Sequence, residues 1–109
     1  MVNQGDIIKV NFNPQKGHEQ AGYRPAVVIS NNFFNEKTSF VIACPITNTN
    51  NKFPLHIPLD DRTETTGVIL CEQVKSIDIN ARQHTVVEQL PEDILEKVIN
   101  VVFAEIDFI

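Results

Sequence analysis

Residues 5–30 read GDIIKVNFNPQKGHEQAGYRPAVVIS, and the fold can be worked out from this stretch in both directions. Ile8, Val10 and Phe12 alternate with Lys9, Asn11 and Asn13, the period of two expected of a half-buried strand. Ala26-Val27-Val28-Ile29 is a continuous, mostly β-branched run, which suits a more central strand. Between them Asn13-Pro14-Gln15-Lys16-Gly17-His18-Glu19-Gln20-Ala21-Gly22 is a long polar connection rich in turn formers. Ordered loops of that kind tend to carry function rather than packing.

Outward from this hairpin the same period continues. Phe40-Val41-Ile42-Ala43-Cys44 is a third strand, closed by Pro45, and a second polar loop, Thr47-Asn48-Thr49-Asn50-Asn51-Lys52, follows it. Leu55, Ile57 and Leu59 alternate with His56 and Pro58; the proline places this segment at a sheet edge, with His56 facing outward. Gly67-Val68-Ile69-Leu70 opens a longer strand that continues to about Ile77, and Thr85-Val86-Val87 is a weaker strand signal. Only the end of the chain reads as a helix. Pro91 suits the first helical position, Glu92 and Asp93 suit the positive end of the helix dipole, and Ile94, Leu95, Val98, Ile99 and Val102 form one apolar stripe. The expected fold is mainly β with a C-terminal helix: a small antiparallel barrel or strongly curved sheet, one domain over residues 1–109.

Composition narrows the function classes. A chain of 109 residues with 42% hydrophobic and 21% charged residues can bury a core without disulfide staples, and it is far from a disordered composition. No apolar run approaches the roughly 20 residues of a membrane-spanning helix. The start, Met1-Val2-Asn3-Gln4-Gly5-Asp6, lacks the basic and apolar regions of a secretory signal, so a cytoplasmic protein with no membrane partner is expected. The net charge is −5, but it is unevenly spread: residues 1–52 hold five Lys or Arg against three Asp or Glu, and the remainder holds four against eleven. A polyanion-binding face is therefore compatible with the N-terminal half alone. Cys44 and Cys71 sit in apolar stretches, form no metal-ligand spacing and read as reduced core thiols; no metal or other cofactor is implied.

Three linked blocks then carry a specific resemblance. The first is Gly5-Asp6 before a strand, Phe12-x-Pro14, and Gly17-x-Glu19-Gln20-x-Gly22-x-Arg24-Pro25 leading into Ala26-Val27-Val28-Ile29-Ser30. The second is Pro45-Ile46-Thr47, and the third is Gly67-Val68 followed by Gln73-Val74-Lys75-Ser76-Ile77-Asp78. In order and over almost the whole chain, these blocks resemble the MazF/PemK family of toxin endoribonucleases. The resemblance implies an SH3-like antiparallel β-barrel of the CcdB/PemK type, acting as a homodimer. It also implies sequence-specific cleavage of single-stranded RNA without metal. A cognate antitoxin of the MazE/PemI kind, with an acidic tail, would inhibit it, and DNA would be met only through that antitoxin.

Metal-free cleavage uses the ribose 2′-hydroxyl as nucleophile and leaves a 2′,3′-cyclic phosphate and a 5′-hydroxyl. By the family match Arg24 and Thr47 are the catalytic pair. A guanidinium is a poor base but a good planar clamp for phosphate, and a hydroxyl can donate to a phosphate oxygen as charge builds. Glu19 is the candidate base. Gln20, His18, Lys16, Asn48, Lys75 and Ser76 are candidate RNA contacts. Two departures from the family stand out: His18 occupies a position where members commonly carry a small residue, and Ile79-Asn80 stand where an aromatic residue often follows the Ser-Ile-Asp block. Phe33, Phe34 and Phe53 offer other rings for stacking. The alternatives are a CcdB-like gyrase poison that binds without cutting RNA, and a catalytically silent scaffold.

Overall fold

In the computed structural model, which describes residues 1–13, 22–49 and 54–109, the alternating stretch forms β1 (Asp6–Asn11) and the β-branched run forms β2 (Tyr23–Val28). The remaining strands are β3 (Phe40–Thr47), β4 (His56–Pro58), β5 (Val68–Leu70), β6 (Lys75–Asp78) and β7 (His84–Gln89). All pairings among the described residues are antiparallel, in the order β4-β5-β3-β2-β1-β7, with β6 also alongside β3. Among the described residues there are two α-helices, α1 (Asn32–Thr38) and α2 (Glu92–Ile106).

The sheet has a core on each face. Ile7, Val27, Cys44, Ile46 and Ile69 pack with Ile94 and Val98 of α2. On the opposite face Ile8, Val10, Phe12, Ala26, Val28, Val41, Ala43 and Ile77 make a second cluster. Ile7 and Ile8 are therefore both fully buried, and β1 is not the half-buried strand its alternation suggests; among its residues only Lys9 is exposed. The sheet is curved but not closed. β6 and β7 do not pair, and a cavity of about 460 Å³ lined by Val2, Val41, Ile79, His84 and Val86 lies where they approach. Asp6 of the Gly5-Asp6 motif is buried and structural: its carboxylate accepts from the Asn3 N–H at 2.8 Å and from the Gln89 side-chain amide.

Five local expectations give way to tertiary context. β3 does not end at Pro45 but runs through it. β6 pairs with β3 up to Ala43 and β5 from Ile46, so Pro45, which has no N–H to give, falls where that edge of the strand has no ladder partner. The long strand from Gly67 is cut in two by a 3₁₀ turn at Cys71–Gln73, which shifts the β5 register against β3 by three residues relative to β6. α1 is a helix that no apolar periodicity announces; it rests on Asn31, whose side chain caps it by accepting from the Phe34 N–H at 2.8 Å. Pro91 is the residue before α2, not its first turn. His56 turns inward: its side chain is only 6% exposed, and its Nε2 lies 3.0 Å from a Glu72 carboxylate oxygen.

Two features tie the connections to this frame. The feet of the first polar loop are closed by Phe12 N–H to the Gly22 carbonyl at 2.8 Å and Gly22 N–H to Asn13 Oδ1 at 2.9 Å. The turn between β4 and β5 is shut by Leu59 N–H to the Gly67 carbonyl at 2.9 Å, and Arg62 in that turn pairs with Asp60 and with Asp93 of α2.

Candidate active site

The site is built where β2 begins and β3 ends. Arg24 precedes Pro25, and a residue before proline is held to extended backbone, so the guanidinium stem rises from a stiff strand end. Arg24 pairs with Val10 across β1, and Val10 belongs to the second cluster. On β3, Ala26 lies opposite Pro45 and Val28 opposite Ala43. The ladder ends at Ala26 and Pro45; extended two residues, its register would set Arg24 across from Thr47. Alternation keeps Arg24 with Ala26 and Val28, and Thr47 with Pro45 and Ala43, so both belong to the rim of the second cluster. Arg24 is exposed and Thr47 half-buried.

Thr47 is held on two sides. Its Oγ1 accepts the Thr49 N–H at 3.1 Å, which leaves its own proton available to donate outward. Its backbone lies against Gly67, where a Cβ would come within 2.3 Å of the Thr47 carbonyl oxygen. Gly67 also adopts φ +117°, a conformation side chains rarely take, so glycine is required there twice over. Beside it the Thr66 hydroxyl donates to Asn48 Oδ1 at 3.0 Å.

Lys75 joins the same rim from β6. It pairs with Ala43 of the second cluster, and its Nζ sits 5.1 Å from the centroid of the Phe12 ring. Such a contact is worth about 0.5–1 kcal/mol where partly exposed. Ser76 pairs with Ile42, which packs against the first cluster, so Ser76 lies on the opposite face from Arg24, Thr47 and Lys75. Lys16, His18, Glu19 and Gln20 fall outside the described residues, as does Phe53.

The residue that sequence reading passes over is Arg82. Its Nη1 donates to the carbonyls of Asn11 at 2.7 Å and Asn13 at 2.8 Å, fixing one foot of the polar loop from a position seventy residues away. Nothing local to Ala81-Arg82-Gln83 marks it; only the β1–β7 pairing brings it there. Cys44 and Cys71 are free, buried and remote from this rim. The hydrogen bond to Cys71, together with burial, pushes the Cys44 thiol up, so it stays protonated and inert. Among the described residues no three His, Cys, Asp or Glu side chains come together as a metal site, and no helix is long and apolar enough to cross a membrane.

Known proteins are similar to this chain in sequence and fold. The profile of the PemK-like, MazF-like toxins of type II toxin–antitoxin systems matches residues 3–104. The endoribonuclease toxin MazF of Escherichia coli (strain K12) is 46% identical over 81 residues, covering 74% of this chain and 72% of that protein. The endoribonuclease PemK of Escherichia coli is 33% identical over 102 residues, covering 90% and 77%. Among solved structures, MazF (Form-I) from Deinococcus radiodurans superposes with a TM-score of 0.89 at 32% identity, over 95% of this chain and 94% of that one. A MazE–MazF complex (Form-II) from the same organism gives 0.84 at 32% identity, over the same shares.

Proposed function

Because the chain belongs to the PemK-like, MazF-like toxin family of type II toxin–antitoxin systems, it is an endoribonuclease, and we propose that Arg24 and Thr47 carry the cleavage. The 2′-oxygen of one ribose attacks the adjoining phosphorus. The new P–O2′ bond forms as the P–O5′ bond breaks, leaving a 2′,3′-cyclic phosphate and a 5′-hydroxyl. Arg24 holds the non-bridging phosphate oxygens and neutralises the charge that builds on them; Thr47 donates its proton to one of the same oxygens. Glu19 takes the 2′-hydroxyl proton, and the 5′-oxygen receives one as it departs. No metal or other cofactor enters these steps.

The observation that supports this reading is the register of β2 on β3, whose last pair is Ala26 with Pro45; extended two residues past that pair, it would set Arg24 across from Thr47. Lys75 and Asn48 flank that point and bind the strand of RNA on either side, with Lys16, His18 and Gln20 contributing from the first polar loop. Ser76, on the other face, stands outside the cleavage centre. Endoribonuclease relatives set aside the gyrase-poison alternative.

The assembly we propose is a cytoplasmic homodimer in which two N-terminal halves build a basic groove. A MazE-like antitoxin with an acidic and apolar tail occupies that groove and excludes RNA, and DNA is reached only through it. The chain's net negative charge is no obstacle, since the acidic residues fall mainly in residues 53–109.

The test is incubation of purified protein with a long single-stranded transcript in excess chelator, with cut sites and end groups mapped. Short sequence-defined cuts bearing cyclic phosphate are expected. Arg24→Ala and Thr47→Ala should each slow cleavage by about 10²-fold or more, the usual cost of removing a preorganised donor to a charged transition state. Cleavage at the wild-type rate by both variants would overturn the assignment.

A further inference from the structure

The turn between β4 and β5 touches the proposed site at its last two residues, through Thr66 to Asn48 and through Gly67 to Thr47. The far part of the turn is gripped from β7. One oxygen of Glu88 accepts the Glu64 N–H at 3.0 Å; the other accepts the Thr65 N–H at 2.8 Å and the Thr65 hydroxyl at 2.7 Å. Burial works against the charge of this carboxyl, but the bonds from Thr65 and Glu64 outweigh it and hold the carboxyl below its ordinary value. The strand itself is bent to reach the turn. β1 pairs Ile8 with Val86 but Ile7 with Glu88, so Val87 is an extra residue in β7. That bulge sends Val86 to the second-cluster face and Glu88 to the face of Ile7, where a regular strand would leave both on one side.

We propose that Glu88 is a positioning residue for RNA cleavage, acting through the 60–67 turn on Thr47 and Asn48. It lies on the opposite face of the sheet from Arg24 and touches no RNA. Its three accepted hydrogen bonds fix Glu64 and Thr65, and the two residues that follow press Gly67 on the Thr47 carbonyl and hold the Asn48 amide oxygen. With that oxygen committed to Thr66, the Asn48 NH₂ is the group left to face the substrate. The turn has little freedom to compensate, since its two ends are bonded to each other and Arg62 fastens it to α2.

This inference rests on the reading that Thr47 takes part in cleavage, and the test separates the two. Glu88→Gln keeps the shape but sets an NH₂ among N–H donors on at least one side, so the grip is broken without leaving a hole. Using the full chain and a short single-stranded RNA containing one mapped cut site, kcat should fall about tenfold with KM within twofold. In single-turnover cleavage by Thr47→Ala, adding Glu88→Gln should lower the residual rate by no more than about threefold, the share that runs through Asn48. A merely structural role would slow both backgrounds alike, and that result overturns the inference. If Thr47→Ala is impaired while Glu88→Gln cleaves normally, only this inference falls; if Thr47→Ala cleaves normally, the role of Thr47 falls with it. Should Glu88→Gln fail to fold, Thr66→Val makes the same test with the carboxylate's grip intact. A drop in kcat of about threefold that vanishes in an Asn48→Ala background supports the proposal, and no drop overturns it.

Discussion

The two faces of one sheet have been finished in opposite ways. On the first, α2 covers Ile7, Val27, Cys44 and Ile69 with Ile94 and Val98, and the polar groups around that cover are mainly acidic: Glu72, Asp93 and Glu105. On the second, no long helix among the described residues packs on the cluster around Ile8, Val10, Phe12 and Val28, and its rim carries Arg24, Thr47 and Lys75. The strands alternate between these faces residue by residue, so each element contributes to both. Both faces hold a buried core, and the proposed chemistry lies at the rim of the second alone.

The contrast breaks most visibly at Gly67, where the two roles meet. Gly67→Ala sets a methyl group about where the Thr47 carbonyl oxygen stands, and does so at a φ that alanine resists. Neither backbone can yield cheaply, since Thr47 is in register with Val68 and Leu59 is bonded to Gly67. A loss of about 3 kcal/mol or more in urea unfolding is expected, together with a fall in cleavage per folded molecule of about tenfold or more. An alanine variant with normal stability and rate would show that the close approach constrains neither face.

Val98→Ala sharpens the comparison from the other side. Val98 is fully buried between α2 and the sheet, in the cluster on the opposite face from the one that Arg24 and Lys75 border. Removing two methyl groups there should cost about 2 kcal/mol. Below the melting transition kcat and KM should stay within twofold of wild type. A selective loss of kcat would mean that the helix-covered core and the rim are coupled.

How much of this was legible in the chain depends on the range of the interactions concerned. β2, β3 and α2 are written in local runs such as Ala26–Ile29 and the Ile94, Val98, Val102 stripe, and they form there, although β2 starts earlier, β3 runs on through Pro45 and α2 begins after Pro91. α1 was missed because a single cap at Asn31 carries it, and Phe33 and Phe34 show no helical stripe. The 3₁₀ turn at Cys71–Gln73 contains neither glycine nor proline, so nothing local interrupts the strand signal across it. His56 follows the alternation of its strand, yet Glu72 receives it on the inner side, a partner sixteen residues away that no pattern names. The site divides in the same way. Arg24 and Thr47 could be named from their motifs, but whether they share a face depends on strand register, which no motif states. Arg82 and Glu88 act through carbonyls and N–H groups of distant turns, which leave no mark in the sequence.

The smallest effect expected concerns Glu105, near the end of α2. Partial burial and then the neighbouring Glu72 raise its carboxyl above the ordinary glutamate value, while Glu72 itself engages His56 at 3.0 Å. For an acid shifted upward on folding, ionisation weakens the folded state. Its contribution is most favourable at low pH, is lost as pH rises from the unfolded value of about 4.3 through the raised folded value, and is constant above that. Glu88 and Asp93, shifted downward, act with the opposite sign: their stabilisation is present above the unfolded value and lost as pH falls. Glu105→Gln should therefore melt slightly higher than wild type at pH 7 and converge with it below about pH 4. Thermal melts of both proteins across that range check it. A difference independent of pH would assign the effect to helix packing instead of charge. Because Glu105 belongs to the helix-covered face, its removal should leave the pH profile of kcat unmoved, and a shifted profile would mean that charge on the first face is felt at the second.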